Sequence, residues 1–192
     1  MATQAPIDIP PGYIVGVWDI DPVHTEISFV VRHMVVSKVR GRFDKFEGTI
    51  VTAEDPARSQ VSITIDAASI DTHNEQRDAH VRAPDFLDVD EFPVISFTST
   101  AIRQSGSEYE LDGDLRIRDV TAAVTLELEA NGFIADPYGS VRSGFSARLE
   151  IDRQDFGVSY NGPIPGADKA MVLSDKVSII LEVQAVLRQR DS

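Results

Sequence analysis

Four histidines, at positions 24, 33, 73 and 80, are the side chains of this sequence best suited to hold a metal or move a proton near neutral pH. Their spacing assembles no site. No pair follows the His-Glu-x-x-His or zinc-finger pattern. His73 and His80 fall on one predicted helix, about two turns apart, which is too far to chelate one ion. His24 follows Asp21-Pro22-Val23 at a strand entrance. His33 ends a run whose inward face is Ile27, Phe29 and Val31, so a hydrogen-bonded core role is the simpler reading. The chain has no cysteine, which excludes disulfides, thiolate nucleophiles and zinc–thiolate centres. No Gly-x-Ser-x-Gly elbow occurs. Asp112 and Asp114 share a strand face, but it is the outward one, and Asp112-Gly113-Asp114 would repel a phosphate. The expectation is no catalytic set, no metal site and no cofactor.

What must be positioned instead is apolar surface. The chain has 192 residues, 42% hydrophobic and 26% charged, enough for one domain with a substantial core. Its formal net charge is −13, and a surface that acidic as a whole repels nucleic-acid phosphates and anionic lipid headgroups. No segment has the length of a membrane-spanning apolar run. The N-terminus has no Lys or Arg before Arg32 and no signal-peptide core, so a cytoplasmic location is expected.

Period-two alternation dominates. It is clearest in 61–66, 109–118, 124–130 and 177–187, and recurs in 26–33, 94–102 and 141–151. Segment 38–51 changes phase, which predicts a β-bulge near Asp44-Lys45. Turn signals such as Asp21-Pro22, Asp55-Pro56, Asn131-Gly132 and Asp136-Pro137 separate the runs. Thr72-His73-Asn74-Glu75 reads as a capping box opening a short helix from about 73 to 82. Together these predict an all-β fold of about eight strands with mostly hairpin connections, one sheet that closes or folds into a sandwich, with the helix between strands four and five. Residues 1–12 read as a tail and 13–190 as the single domain, with 157–175 a long loop able to cover a barrel mouth.

Parity turns Ile27, Phe29, Val31 and Phe43 inward, and likewise Phe97, Leu126, Phe145 and Ile179. Phe156 and Tyr160, beside the long loop, complete the candidate lining. A barrel of this size can be filled by side chains or can hold one small ligand, and periodicity leaves both open.

Three stretches resemble the YceI-like family of lipocalin-like, polyisoprenoid-binding proteins. They are Trp18-Asp19-Ile20-Asp21-Pro22-Val23-His24 through Val39-Arg40-Gly41-Arg42-Phe43, then Ser69-Ile70-Asp71-Thr72 through Phe92-Pro93-Val94-Ile95-Ser96-Phe97, and Gly113-Asp114-Leu115-Arg116 with Ile151-Asp152-Arg153-Gln154-Asp155-Phe156-Gly157. Asp119 stands where the family usually has Gly, and Ala122-Ala123 where Lys-Pro is common. The resemblance implies an elongated, eight-stranded antiparallel lipocalin-like β-barrel with a hydrophobic tunnel for an isoprenoid, a quinone or a fatty-acid-like amphiphile, and a homodimer. The competing reading is a cofactor- or metal-dependent enzyme that uses the same cavity through His24 or His33.

Overall fold

The alternating runs become strands of one antiparallel sheet that closes on itself. In the computed structural model, residues 7–167 and 170–189 are described. The strands are β1 (Gly16–Ile20), β2 (Glu26–His33), β3 (Ser37–Phe43), β4 (Phe46–Thr52), β5 (Gln60–Asp66), β6 (Ile70–Asp71), β7 (Val94–Ser105), β8 (Glu108–Ile117), β9 (Val120–Ala135), β10 (Val141–Asp152) and β11 (Leu173–Leu187). The helix α1 (Glu75–Arg82) lies between β6 and β7, hence between the runs 61–66 and 94–102. Six strands join in pairs as bent staves, β1 with β2, β3 with β4 and β5 with β6, so the barrel has eight staves. Each stave pairs with its sequence neighbour. The long β11 closes the ring by pairing with both β2 (Ile179↔Phe29) and β1 (Ala185↔Ile20). Closure removes the exposed edges that an open sheet of this length would carry.

The break at Asp44-Lys45 falls where the phase change predicts it. The Asp44 N–H donates to the Ser69 carbonyl at 3.1 Å, and the Asp66 N–H to the Lys45 carbonyl at 2.9 Å. Phe43 and Phe46 thereby both face the core from opposite parities. The helix start differs from expectation. His73 takes a left-handed φ of 60°, which places it and Thr72 outside the helix. Asn74 is the N-cap, accepting from the Arg77 N–H at 2.8 Å. Thr72 is buried instead, and its N–H and hydroxyl both donate to the Asp78 carboxylate at 2.9 and 2.5 Å.

Because the staves alternate in direction, the connections gather at two ends. The hairpins β4–β5, β7–β8 and β9–β10 lie at one end, with the start of β1 and the end of β11. The β2–β3 and β8–β9 hairpins, α1 and residues 153–167 and 170–172 lie at the other. Of the stretch read as a tail, residues 7–12 are described. Ile7 is buried in the core, and Asp8 exchanges hydrogen bonds with the Gln104 side chain. The boundary at 190 and residues 1–6 lie outside the described residues.

Candidate ligand-binding site

The barrel encloses a cavity of about 580 Å³, within the ~300–1,000 Å³ range of small-molecule sites. Ile27, Phe29, Val31 and Phe43 from β2 and β3 line it, as do Phe97, Leu126, Phe145 and Ile179 from β7, β9, β10 and β11. Phe156 and Tyr160 line it from the segment after β10. Phe29, Phe43, Phe145 and Ile179 point inward yet are only half-buried, because part of each faces the cavity and not another side chain. Two inward glycines make room for rings. A Cβ at Gly41 would lie 2.3 Å from the Phe29 ring, and one at Gly113 would lie 2.3 Å from the Phe97 ring. Each ring lies across a bare stretch of backbone on the neighbouring strand. That signal was present in the sequence at Gly113, where it was overshadowed by the flanking aspartates.

One end of the cavity is covered. Trp18 is fully buried, and its indole N–H donates to the Thr52 hydroxyl at 2.9 Å. That hydroxyl donates in turn to the Ile14 carbonyl at 2.6 Å. Phe133 meets Trp18, Tyr13 and Phe145 edge-on, with centroids 5.5, 5.5 and 6.0 Å apart. The Tyr13 hydroxyl donates to the Ala53 carbonyl at 2.8 Å, tying the N-terminal segment across this end. Outside it, Arg142 bridges Asp21 and Asp136, both at 2.8 Å. Burial works to raise the Asp21 pKa, but hydrogen bonds from His24, Arg142 and the Val23 N–H outweigh it and leave the carboxyl below its usual range. The Arg142 hydrogen bond, seconded by the Ser140 N–H, holds Asp136 low as well.

The other end is a mouth. His80 on α1, Phe86 and Tyr160 form a three-ring cluster with all centroid distances 5.0 Å, and His80 Nε2 pairs with Asp85 at 2.9 Å. His33 lines the cavity at the end of β2. Arg77, which lines the cavity, donates to the Thr72 hydroxyl and carbonyl at 2.8 and 2.7 Å. Arg153 is buried beneath the loop and donates to the carbonyls of Val158 (2.6 Å), Tyr160 (2.8 Å) and Ser174 (3.0 Å). Burial lowers its pKa, opposed by the nearby Asp175 and Asp152. The charged groups along the wall are thus basic: no Asp or Glu lines the cavity among the described residues. Parity does not turn Arg77 or Arg153 toward the cavity, because it places strand residues, not residues of helices and turns.

The histidines do not converge. His24 is exposed, pairs with Asp21 at 2.8 Å, and does not line the cavity, so the enzyme reading loses that residue. Among the described residues, no three His, Asp or Glu side chains gather as metal ligands. Asp112 accepts from Arg103 and, at 2.6 Å, from the Thr125 hydroxyl on the outer face. No helix among the described residues is long and apolar enough to cross a membrane.

Comparison with known proteins agrees with this geometry. The family model for the YceI-like domain matches residues 18–185. Protein YceI of Shigella flexneri is 35% identical over 170 residues, covering 88% of this chain and 84% of that protein. The same values hold for protein YceI of Escherichia coli O157:H7. Among solved structures, the Campylobacter jejuni YceI protein superposes with a TM-score of 0.70 at 26% identity, covering 82% of this chain and 90% of its own. A polyisoprenoid binding domain from Saccharophagus degradans shares the fold, with a TM-score of 0.67 at 15% identity, over 91% of this chain and all of its own.

Proposed function

The chain belongs to the YceI-like family, and from that premise we propose that it sequesters or carries one long-chain apolar or amphipathic molecule, tail toward Trp18 and head at the mouth. Isoprenoids, quinones and fatty-acid-like amphiphiles are the fitting class. The observation that carries this reading is the cavity of about 580 Å³ inside the barrel, with an almost wholly apolar wall. Burying a chain there is worth about 0.8 kcal/mol per CH₂. The name of the Saccharophagus relative, a polyisoprenoid binding domain, points the same way. The basic side chains of the wall, His33, Arg77, His80 and Arg153, all stand at the mouth, where a head would be. With no metal-ligand cluster among the described residues and no carboxylate along the described wall to complete an acid–base pair, the protein is read as a carrier and not as an enzyme.

Native mass spectrometry of freshly purified protein tests this. A co-purifying mass of a lipid-like molecule, released by organic solvent, is expected. A haem or stoichiometric metal that survives chelator dialysis would replace this reading with the cofactor one.

A further inference from the structure

We propose that the β2–β3 hairpin is a docking tip that seats the cavity mouth on an anionic lipid bilayer. The tip is Met34-Val35-Val36, with exposures of 43%, 64% and 88%. Met171, also exposed, follows closely, because the Met34 N–H donates to the carbonyl of its neighbour Val172 at 2.7 Å. The tip therefore rises beside His33 and Val172, which line the mouth.

Three features set this hairpin apart. The first is charge. Residues 27–43 contain Arg32, Lys38, Arg40 and Arg42 and no Asp or Glu, in a chain of net charge −13. Arg42 pairs with Asp44 and Asp71, but Arg32, Lys38 and Arg40 are exposed and form no ion pair among the described residues. The second is register. Arg32 stands directly opposite Lys38, a like-charge pair that destabilises an isolated hairpin and that an anionic surface would relieve. The third is backbone. Met34 and Val35 adopt φ of 50° and 65°, left-handed values that suit Gly or Asn and strain a β-branched residue. A solvent-exposed turn gains nothing from valine there, whereas an apolar tip entering the acyl boundary does.

The net charge does not oppose this. Screening at physiological salt acts over about 8 Å, so a surface meets the nearest charges and not the sum. The acidic stretch Asp88-Val89-Asp90-Glu91 runs to Phe92, which lies under Arg118 of the β8–β9 hairpin. That hairpin is across the ring of eight staves from β2–β3. One side of the rim is thus basic and apolar, and the opposite side is acidic. A bilayer met by the first side would deliver or receive an amphiphile at the mouth. The docking stands whether or not the cavity reading holds, and its test reads vesicles and not the cavity.

Co-sedimentation of the full chain with vesicles of phosphatidylcholine, and of phosphatidylcholine with phosphatidylglycerol, is the experiment. The protein is expected on the anionic vesicles, less so on the neutral ones, and to be released by salt. Each basic residue near the surface contributes roughly fivefold, so the Arg32→Gln, Lys38→Gln, Arg40→Gln triple variant should bind roughly a hundredfold more weakly. The Met34→Asn, Val35→Gly variant should melt higher, since its backbone is relaxed, and yet bind vesicles less. Equal binding to the two vesicle types overturns the proposal, as does full binding by that variant. A fall in solution mass on making it, seen by light scattering, would show that a second copy of this chain occupies the tip instead.

Discussion

The two ends of the barrel meet the same requirement, satisfying backbone and apolar groups where strands stop, in opposite ways. At the covered end, aromatic rings and short hydrogen bonds knit strands and the N-terminal segment together: Trp18 on Thr52, Thr52 on Ile14, and Tyr13 on Ala53. At the mouth, the rings of His80, Phe86 and Tyr160 touch one another but remain partly exposed, and long arginine side chains hold the turns. The covered end resists deformation because its rings are buried and its side-chain hydrogen bonds tie separate strands together. Mouths can part, because their rings and loops have less to lose. An elongated barrel built this way has a fixed floor and an adaptable entrance.

The sharpest way to break this contrast is at the floor. Trp18→Ala removes a fully buried ring and leaves the Thr52 hydroxyl without its indole donor, so denaturant unfolding should show a loss of about 3–5 kcal/mol. A loss under about 1 kcal/mol would mean that the floor is not the rigid half. Midway, Phe145→Trp adds bulk to a half-buried wall. Displacement of a fluorescent long-chain fatty acid should show binding weakened by at least about tenfold, with an overpacking cost of about 1–3 kcal/mol at most. At the mouth, His80→Ala removes one partner of a pair in which both side chains are substantially exposed, 44% for His80 and 55% for Asp85. The cost in folding stability should stay below about 1 kcal/mol. Thermal melting showing a deficit comparable to that of Trp18→Ala would erase the distinction between the ends.

The smallest effect is on pH dependence. Asp21 and Asp136 have folded pKa values below the usual carboxylate range, held there against burial by Arg142 and, for Asp21, by His24. A depressed folded pKa contributes stability that is present above the unfolded value, about 3.9, and is lost as pH falls through the folded value. Asp136→Asn should therefore lower the denaturant midpoint at about pH 6 and matter little at about pH 2. An equal deficit at both would place the role of Asp136 in its backbone hydrogen bonds alone.

Much of the wall was legible in the sequence, because a strand's period of two assigns a face to each residue once one face is known to be apolar. Phe29, Phe97 and Ile179 could be turned inward from neighbours alone. The fusion of β1 with β2 into one stave was not legible, since it depends on β11 being long enough to pair with both. Nor was the start of α1. Thr72 and Glu75 have the spacing of a capping box, but the left-handed turn at His73 withdraws Thr72 to bind Asp78. The covered end was hidden for a similar reason. Ile7 looks like part of a tail until the chain crosses beneath the barrel, and no local pattern reports a contact 40 residues away such as Tyr13 with Ala53.

The central claim, one apolar cavity with a mouth and a floor, is tested most directly by titrating the protein with a series of saturated fatty acids of increasing length. Each added methylene should improve binding by about 0.8 kcal/mol until the tail reaches Tyr13 and Phe133, which line the covered end, after which affinity should level off or fall. Affinity that does not depend on chain length would contradict the account, because it would mean that the tail never enters the barrel.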